Sequence, residues 1–120
     1  MKLKALRGAI YAENSREIIN ERVVELYSEM LNRNALDVEN IVCVVVSTTV
    51  DLTATCPATA IRLLYEKGKN PSLFSVNEPE FDGAEKGIIR LMILCYTENA
   101  NHVYLRGTNK LIGEKDESCN

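Results

Sequence analysis

The chain has 120 residues, enough for one domain over residues 1–120 with its own hydrophobic core. Apolar residues make up 46% of it and charged residues 26%, which is typical of a soluble globular protein. The net charge of −3 argues against a nucleic-acid-binding surface, and the apolar runs IVCVVV and IIRLMILCY are shorter than the roughly 20 residues of a membrane helix. The N-terminus lacks the apolar segment of a signal peptide, so we expect a cytoplasmic protein that binds neither nucleic acid nor membrane.

The first third of the chain predicts a strand followed by an amphipathic helix. Residues 2–12 have strand character that Gly8 interrupts. Asn14 and, three residues later, Glu17 have the form of a capping box, which marks the start of a helix. Behind them apolar residues recur every three or four positions, the pattern of one buried helix face, until the helix ends near residues 32–34.

The middle of the chain predicts a strand, a second helix and another strand. Residues 41–49, IVCVVVSTT, are apolar and β-branched, which is typical of a strand covered on both faces. Pro57 suits the first turn of a helix, and Gly68 marks its end. The third strand, SLFSV, covers 72–76, and an acidic loop follows over 77–86.

The last third predicts two further strands. Residues 87–96, GIIRLMILCY, have the pattern of a buried strand, and a turn over 98–101 leads into a short strand, HVYL, at 102–105. The polar segment 112–120 is predicted to be flexible. The element order predicts an α+β fold, with a mixed sheet of about five strands and two helices. Because two helices cannot cover both faces of such a sheet, the apolar strands indicate that a second subunit covers the rest.

The cysteines and the histidine give no metal or nucleophilic site. None of the four cysteines stands in a CxxC pair, and Cys43 and Cys95 lie in apolar strands, which favours buried, reduced thiols. His102 stands alone, in a position whose pattern predicts exposure, so no Ser-His-Asp set can be built. The sequence also lacks a phosphate loop and a GxGxxG motif.

One charged residue interrupts the apolar strand at 87–96. Arg90 cannot lose its charge, and burying an unpaired charge costs several kcal/mol or more. One interpretation is a structural ion pair with Glu78 or another acid. The other is an anion-binding pocket made by Arg90, Arg7 and Tyr104, with Glu78 as a hydrogen-bond acceptor, because guanidinium groups suit carboxylates and phosphates. Such a pocket fits a small polyanionic metabolite.

Four short motifs stand in order over about residues 5–105: RGA at 7–9, DLTATCPATAIR at 51–62, Glu78 twelve residues before Arg90, and HVYL at 102–105. Together they resemble the trimeric α/β-barrel chorismate mutases. The resemblance implies a trimeric pseudo-barrel that converts chorismate to prephenate, a step toward phenylalanine and tyrosine. This intramolecular Claisen rearrangement needs no cofactor, metal or covalent intermediate. Family members are homotrimers with active sites in clefts between adjacent subunits.

The resemblance also implies roles for individual residues. Arg90 would donate to the ether oxygen, where negative charge grows as the C–O bond stretches. Arg7 and Tyr104 would hold the side-chain carboxylate, and Glu78 would accept a hydrogen bond from the ring hydroxyl. Arg62 would lie near the pocket mouth. The remaining residues that the resemblance assigns to the substrate pocket are Cys56, Ala58, Thr59, Leu73, Phe74 and Ser75.

Some positions depart from the family pattern. Cys56 stands where phenylalanine is usual, Thr59 replaces a common lysine, and Ser75 occupies a cysteine position. The C-terminal segment also lacks the family's Arg-Pro. The alternatives to a chorismate mutase are a relative that binds another small carboxylate, with altered or no catalysis, and a purely structural trimer.

Overall fold

A computed structural model of the protein describes residues 1–111, and the predicted flexible segment 112–120 lies outside the described residues. Within this part the chain forms a five-stranded mixed sheet with two α-helices, which confirms the predicted fold class. The elements are β1 (Lys2–Tyr11), α1 (Arg16–Arg33), β2 (Ile41–Thr48), α2 (Pro57–Arg62), β3 (Ser72–Asn77), β4 (Ile88–Thr97) and β5 (Val103–Leu105), with 3₁₀ turns at Val38–Asn40 and Thr108–Leu111.

The strand order is β3-β2-β4-β1-β5, so the apolar strand β4 occupies the centre of the sheet. It pairs antiparallel with β1 on one side and with β2 on the other. The outer pairings, β2 with β3 and β1 with β5, are parallel. Because β4 is paired along both edges, the positions of its side chains are fixed from two directions.

Both helices lie on one face of the sheet and form the hydrophobic core with it. α1 contacts β1, β4 and β5, while α2 contacts α1 and β3. Full burial of a leucine or isoleucine side chain contributes about 1.5–3 kcal/mol, so this face is the main source of stability. Its fully buried side chains include Leu6, Ile10, Ile89 and Ile93 from the strands, Ile19, Val23, Leu26 and Met30 from α1, and Ile61 from α2.

The opposite face of the sheet, here called the open face, is not covered by either helix. It is formed by the residues that alternate with the core residues, and strand register groups them as Ala5, Arg7 and Ala9 on β1, Val45 and Ser47 on β2, Phe74 and Val76 on β3, Arg90 and Met92 on β4, and Tyr104 on β5. Phe74 is 66% exposed and Met92 42% exposed. In the single chain only one face of β2 is covered, and the prediction that a second subunit covers the other face stays a prediction.

The first helix starts one residue later than its capping-box pattern indicates. Ser15 is the N-cap, and its hydroxyl oxygen accepts a hydrogen bond from the N–H of Ile18 at 3.5 Å. Asn14 is not the cap because its side-chain oxygen accepts from the N–H groups of Thr53 and Ala54, both at 2.9 Å. A tertiary contact thus takes the side chain that the local pattern assigned to the helix.

The second helix is shorter than predicted and ends at Arg62. The chain beyond it continues in turns, and Gly68 adopts a positive φ of 81° in a separate turn. The hydroxyl groups of Tyr65 and Tyr27 lie 2.6 Å apart, and this hydrogen bond holds the turn against α1. The predicted helix end at Gly68 is therefore wrong. The chain leaves the helix after Arg62, and the hydrogen bond between Tyr65 and Tyr27 holds the following turn in place.

Gly8 does not interrupt β1 but lies where α1 comes closest to the sheet. A Cβ atom added there would lie 2.5 Å from the sulfur of Met30, 3.0 Å from Cδ1 of Leu26 and 3.1 Å from the carbonyl oxygen of Val103. Glycine is thus required by the close approach of helix and neighbouring strand, and not by a turn.

We expect Gly8→Ala to lower the free energy of unfolding by about 1–3 kcal/mol, because the added methyl group overpacks a filled core. Urea unfolding measures this change. Met30 is flexible, so the same substitution should cost less in a Met30→Ala background. An equal cost in both backgrounds would contradict the assigned clash.

Candidate active site

A row of side chains crosses the open face of the sheet. Arg90 on β4 pairs in register with Ser47 on β2 and with Ala9 on β1, and Tyr104 on β5 pairs with Ala9 from the other side. Residues opposite each other on neighbouring strands point to the same face. Because fully buried Ala9 carries only a methyl group, the longer side chains of Arg90 and Tyr104 can approach each other over it.

The next row brings a second arginine to the same place. Arg7 lies two residues before Ala9 on β1, opposite Met92. Glu78 follows β3 directly, and its N–H donates to the carbonyl of Thr48 at 2.8 Å, which extends the pairing of β2 with β3. Four predicted residues, Arg7, Glu78, Arg90 and Tyr104, line one cavity of about 250 Å³ together with Gly8, Val45, Ser47, Leu91, Met92 and Leu111.

The start of β4, two residues before Arg90, is tied to the end of β2. The carboxylate of Asp51 accepts a hydrogen bond from the N–H of Gly87 at 3.0 Å, and the hydroxyl of Thr49 accepts from the N–H of Ile88 at 3.0 Å. Burial alone would raise the pKa of Asp51, but hydrogen bonds from Thr49 and Gly87 lower it below its usual value. These bonds fix the strand that carries Arg90.

Arg90 and Glu78 form an ion pair at the cavity wall. Nε of Arg90 lies 2.5 Å from Oε1 of Glu78, and the hydroxyl of Ser47 lies 3.3 Å from the same oxygen. The side chains of Arg90 and Glu78 are 41% and 20% exposed. The contact engages Nε, and a guanidinium carries two further nitrogens that can donate to a ligand. The structural ion pair and the anion pocket are therefore compatible.

The cavity favours an anion. Two arginines and one glutamate line it, so its charged side chains sum to one positive charge. Tyr104 adds a hydroxyl that can donate or accept, and the walls are otherwise largely apolar. In such surroundings a charge-assisted hydrogen bond is stronger than in water.

His102 is partly buried, so its predicted exposure is wrong. Its Nδ1 accepts a hydrogen bond from the backbone N–H of Arg7 at 3.0 Å. Burial, and then the positive charge of Arg7, lower the pKa of His102 below its usual value. The sequence signal for this contact is the position of His102 directly before the strand that carries Tyr104, but only the strand register identifies its partner.

The other predicted substrate residues do not line this cavity in the same chain. Cys56 and Ser75 line a separate depression of about 370 Å³ beside α2, where their Sγ and Oγ atoms lie 3.4 Å apart. Arg62 is exposed at the end of α2, and Phe74 is exposed on the open face. The remaining three are Ala58, which is buried, Thr59, which is half-buried, and Leu73, which packs against the core.

Neither a metal site nor a membrane span is found in the part of the chain that the structure describes. Over residues 1–111 no group of three or more His, Cys, Asp or Glu side chains could hold a metal ion. Over the same residues no helix has the length and apolar character to cross a membrane.

We expect Glu78→Ala to lower the free energy of unfolding by less than about 1 kcal/mol, because ion pairs that solvent reaches contribute little. Urea unfolding of this variant is compared with that of Glu29→Ala, which breaks the exposed pair between Glu29 and Arg33 at 2.8 Å. A loss of several kcal/mol for Glu78→Ala alone would assign the Arg90 pair a structural role.

Comparisons with known proteins agree on one family. The family model of type I chorismate mutase matches residues 3–114. The chorismate mutase AroH of Thermus thermophilus is 31% identical over 115 residues, which cover 91% of this chain and 93% of that protein. The solved structure of a chorismate mutase from Clostridium thermocellum superposes with a TM-score of 0.81 at 30% identity, covering 88% of this chain and 97% of that one. The chain therefore belongs to the type I chorismate mutase family, whose members are isomerases.

Proposed function

We propose that the protein is a cytoplasmic, homotrimeric enzyme of phenylalanine and tyrosine biosynthesis that rearranges chorismate to prephenate in the cavity on the open face. The observation that carries this assignment of the site is the meeting of Arg7 and Arg90, from neighbouring strands, with Tyr104 and Glu78 around one cavity. Chorismate has two carboxylates, an ether oxygen and a ring hydroxyl. The four side chains offer complementary groups for a dianion of this kind.

Arg7 and Tyr104 bind the side-chain carboxylate in this proposal. They approach from β1 and β5, on the side of the cavity away from Glu78 in the strand order. An arginine can donate two parallel hydrogen bonds to a carboxylate, which fixes the orientation of the group as well as its position. A flexible substrate held in this way can be kept in the compact shape from which the rearrangement starts.

Arg90 acts on the ether oxygen. Negative charge develops there as the C–O bond stretches, and a guanidinium already in place stabilises that charge without reorganising at the moment of reaction. This interaction is stronger in the transition state than in the ground state, so it raises turnover and not only affinity. No nucleophile or covalent intermediate is required.

Glu78 has two tasks in the proposed mechanism. Its carboxylate orients Arg90 through the ion pair with Nε, while Ser47 contacts the same carboxylate oxygen. The second oxygen of the carboxylate can accept a hydrogen bond from the ring hydroxyl of the substrate. The side chain of Glu78 thereby fixes the distance between the guanidinium of Arg90 and the ring hydroxyl of the substrate.

A relative that binds another carboxylate without this catalysis is the alternative from the sequence. The comparisons do not favour it, because the matched family model, the Thermus thermophilus protein and the Clostridium thermocellum structure are all chorismate mutases.

The homotrimer would complete the site from two subunits. In one chain Arg62, Cys56, Thr59 and Ser75 do not line the cavity that holds Arg90. A neighbouring copy whose α2 and β3 lie against the open face would bring this second group to the cavity mouth and cover exposed Phe74 and Met92. Apolar side chains exposed together on one sheet face favour such a contact. The exposed cation Arg62 then adds a positive charge for an anionic substrate.

We expect Arg90→Ala to lower kcat by at least about 10²-fold, because one preorganised donor contributes roughly 2.7–4 kcal/mol to the transition state. Loss of the ultraviolet absorbance of the chorismate diene measures turnover. The matched control is Arg33→Ala, which removes an arginine from an exposed ion pair and should retain wild-type turnover. Near-unchanged turnover in a folded Arg90→Ala variant would refute the role.

We expect sedimentation to give three times the 13.4 kDa mass of one chain.

We also expect two inactive variants to restore activity when their subunits assemble together. Arg90→Ala and Arg62→Glu each inactivate one side of a shared site. After the two inactive variants are refolded together in equal amounts, about a quarter of the sites in random closed trimers would carry both intact residues. Mixing that restores no activity, although each variant assembles, would contradict a site shared between subunits.

A further inference from the structure

Two of the proposed substrate ligands depend on a very short strand pairing. Tyr104 lies on β5, which has three residues and pairs with β1 in parallel. Arg7 lies on β1 directly before Gly8, the first residue of that pairing. So short a ladder provides few main-chain hydrogen bonds, and parallel pairing is slightly less stable per residue than antiparallel pairing. The distance between Arg7 and Tyr104 therefore needs further support.

His102 supplies that support by extending the pairing with its side chain. The N–H of Arg7 donates to Nδ1 of His102 at 3.0 Å in a partly buried position. In a longer parallel ladder a main-chain carbonyl would accept from this N–H. Here the imidazole accepts in its place, one residue before β5 begins. The bond joins the backbone of Arg7 to a side chain two residues from Tyr104.

We propose that His102 is a positioning residue for recognition of the substrate's side-chain carboxylate, because the bond from the Arg7 N–H to its Nδ1 fixes Arg7 and Tyr104 relative to each other. This inference rests on the proposed function, since the carboxylate is that of chorismate. Tyr104 and Arg7 line the cavity, whereas His102 does not. His102 thus acts through its two neighbours and not by touching the substrate.

Only the neutral imidazole can play this part. Nδ1 must carry no proton to accept from the Arg7 N–H, so Nε2 carries the proton of the neutral ring. Protonation of Nδ1 would remove the acceptor and place a second positive charge beside Arg7. Burial and the charge of Arg7 both favour the neutral ring, which lowers the pKa of His102 and keeps the bond intact at neutral pH.

Two ion pairs of the neighbouring helix α1 lie at its contact with the end of the chain that carries β5 and at its own last turn. α1 packs against β5, and the ion pairs that α1 forms on this side are Glu25 with Arg106 at 3.0 Å and Glu29 with Arg33 at 2.8 Å. On β1, Arg7 is the charged residue that acts on His102. Protonation of the His102 ring itself would break this contact directly, because Nδ1 would then carry a proton.

Loss of the bond should raise KM more than it lowers kcat. The carboxylate is held in the substrate and in the transition state alike, so a weaker hold on it reduces binding in both. Arg90 is positioned independently, by the pairing of β4 with β1 and β2 and by Glu78. The charge beside the breaking bond therefore stays in place when His102 is changed.

Two amide substitutions test the proposal, with KM and kcat measured from pH 8 down to the lowest pH at which the enzyme stays folded. His102→Asn places an amide oxygen where Nδ1 lies, and His102→Gln carries the same amide one bond further out; neither titrates. Wild-type KM should rise as the pH falls through the lowered pKa of His102. His102→Asn should keep a low KM that no longer rises with acid, and His102→Gln should show a KM raised roughly 3- to 10-fold at every pH, the value of one hydrogen bond.

The outcomes separate this inference from the proposed function. Wild-type protein without mutase activity would overturn both. An active wild-type enzyme whose acid dependence persists unchanged in His102→Asn, or equal KM values for His102→Asn and His102→Gln, would overturn the positioning role alone. If His102→Gln does not fold, the comparison of wild type with His102→Asn across pH still decides, because a merely structural role would not remove the pH dependence of KM.

Discussion

The site depends on the antiparallel register of β4 against β1 and β2. Side chains alternate between the two faces of a strand, so a slip of one residue would move Arg90 from the open face into the core under the helices. The core residues Ile89 and Leu91, on either side of Arg90, prevent such a slip because they would then face the open side. Hydrophobic burial on one face therefore fixes the backbone position of a charge on the other, and the ion pair with Glu78 orients the guanidinium group.

That register also determines which chemistry is possible. It places Arg90 and Tyr104 in the same row across the sheet and Arg7 in the neighbouring row. Glu78, directly after β3, lies close enough to Arg90 to form the ion pair. A fixed pattern of charge is all that an intramolecular rearrangement requires from its enzyme, because no proton shuttle or nucleophile takes part. The same rigidity explains why sheet strands, and not loops, carry three of the four residues around the cavity.

The sequence alone was sufficient to predict the number and order of the strands and helices, and its motifs pointed to the residues around Arg90. Alternation and β-branched runs reveal strands because burial on a sheet face leaves a local pattern. The errors lie where a contact distant in sequence overrides that pattern. The side chain of Asn14 accepts a hydrogen bond from the N–H of Thr53, so Ser15 caps α1 instead. After α2, the hydroxyl of Tyr65 bonds that of Tyr27, and the chain continues as a turn where the pattern predicts helix. The partner of His102 could not be predicted, since its bond to Arg7 spans 95 positions and exists only in the folded register.

In the proposed trimer, Glu78 would allow the open face to be covered while Arg90 keeps its charge. The apolar side chains of the open face favour a partner subunit, and in the proposed trimer that subunit would reduce the contact of Arg90 with water. The ion pair with Glu78 compensates the charge within one chain, before any substrate arrives. Because the pair uses Nε, the two outer nitrogens of the guanidinium would be available to the substrate's ether oxygen in the proposed mechanism. In the proposed trimer the charge would thus lie in a cleft covered by the partner subunit, where its effect on the transition state would be greater than in open solvent.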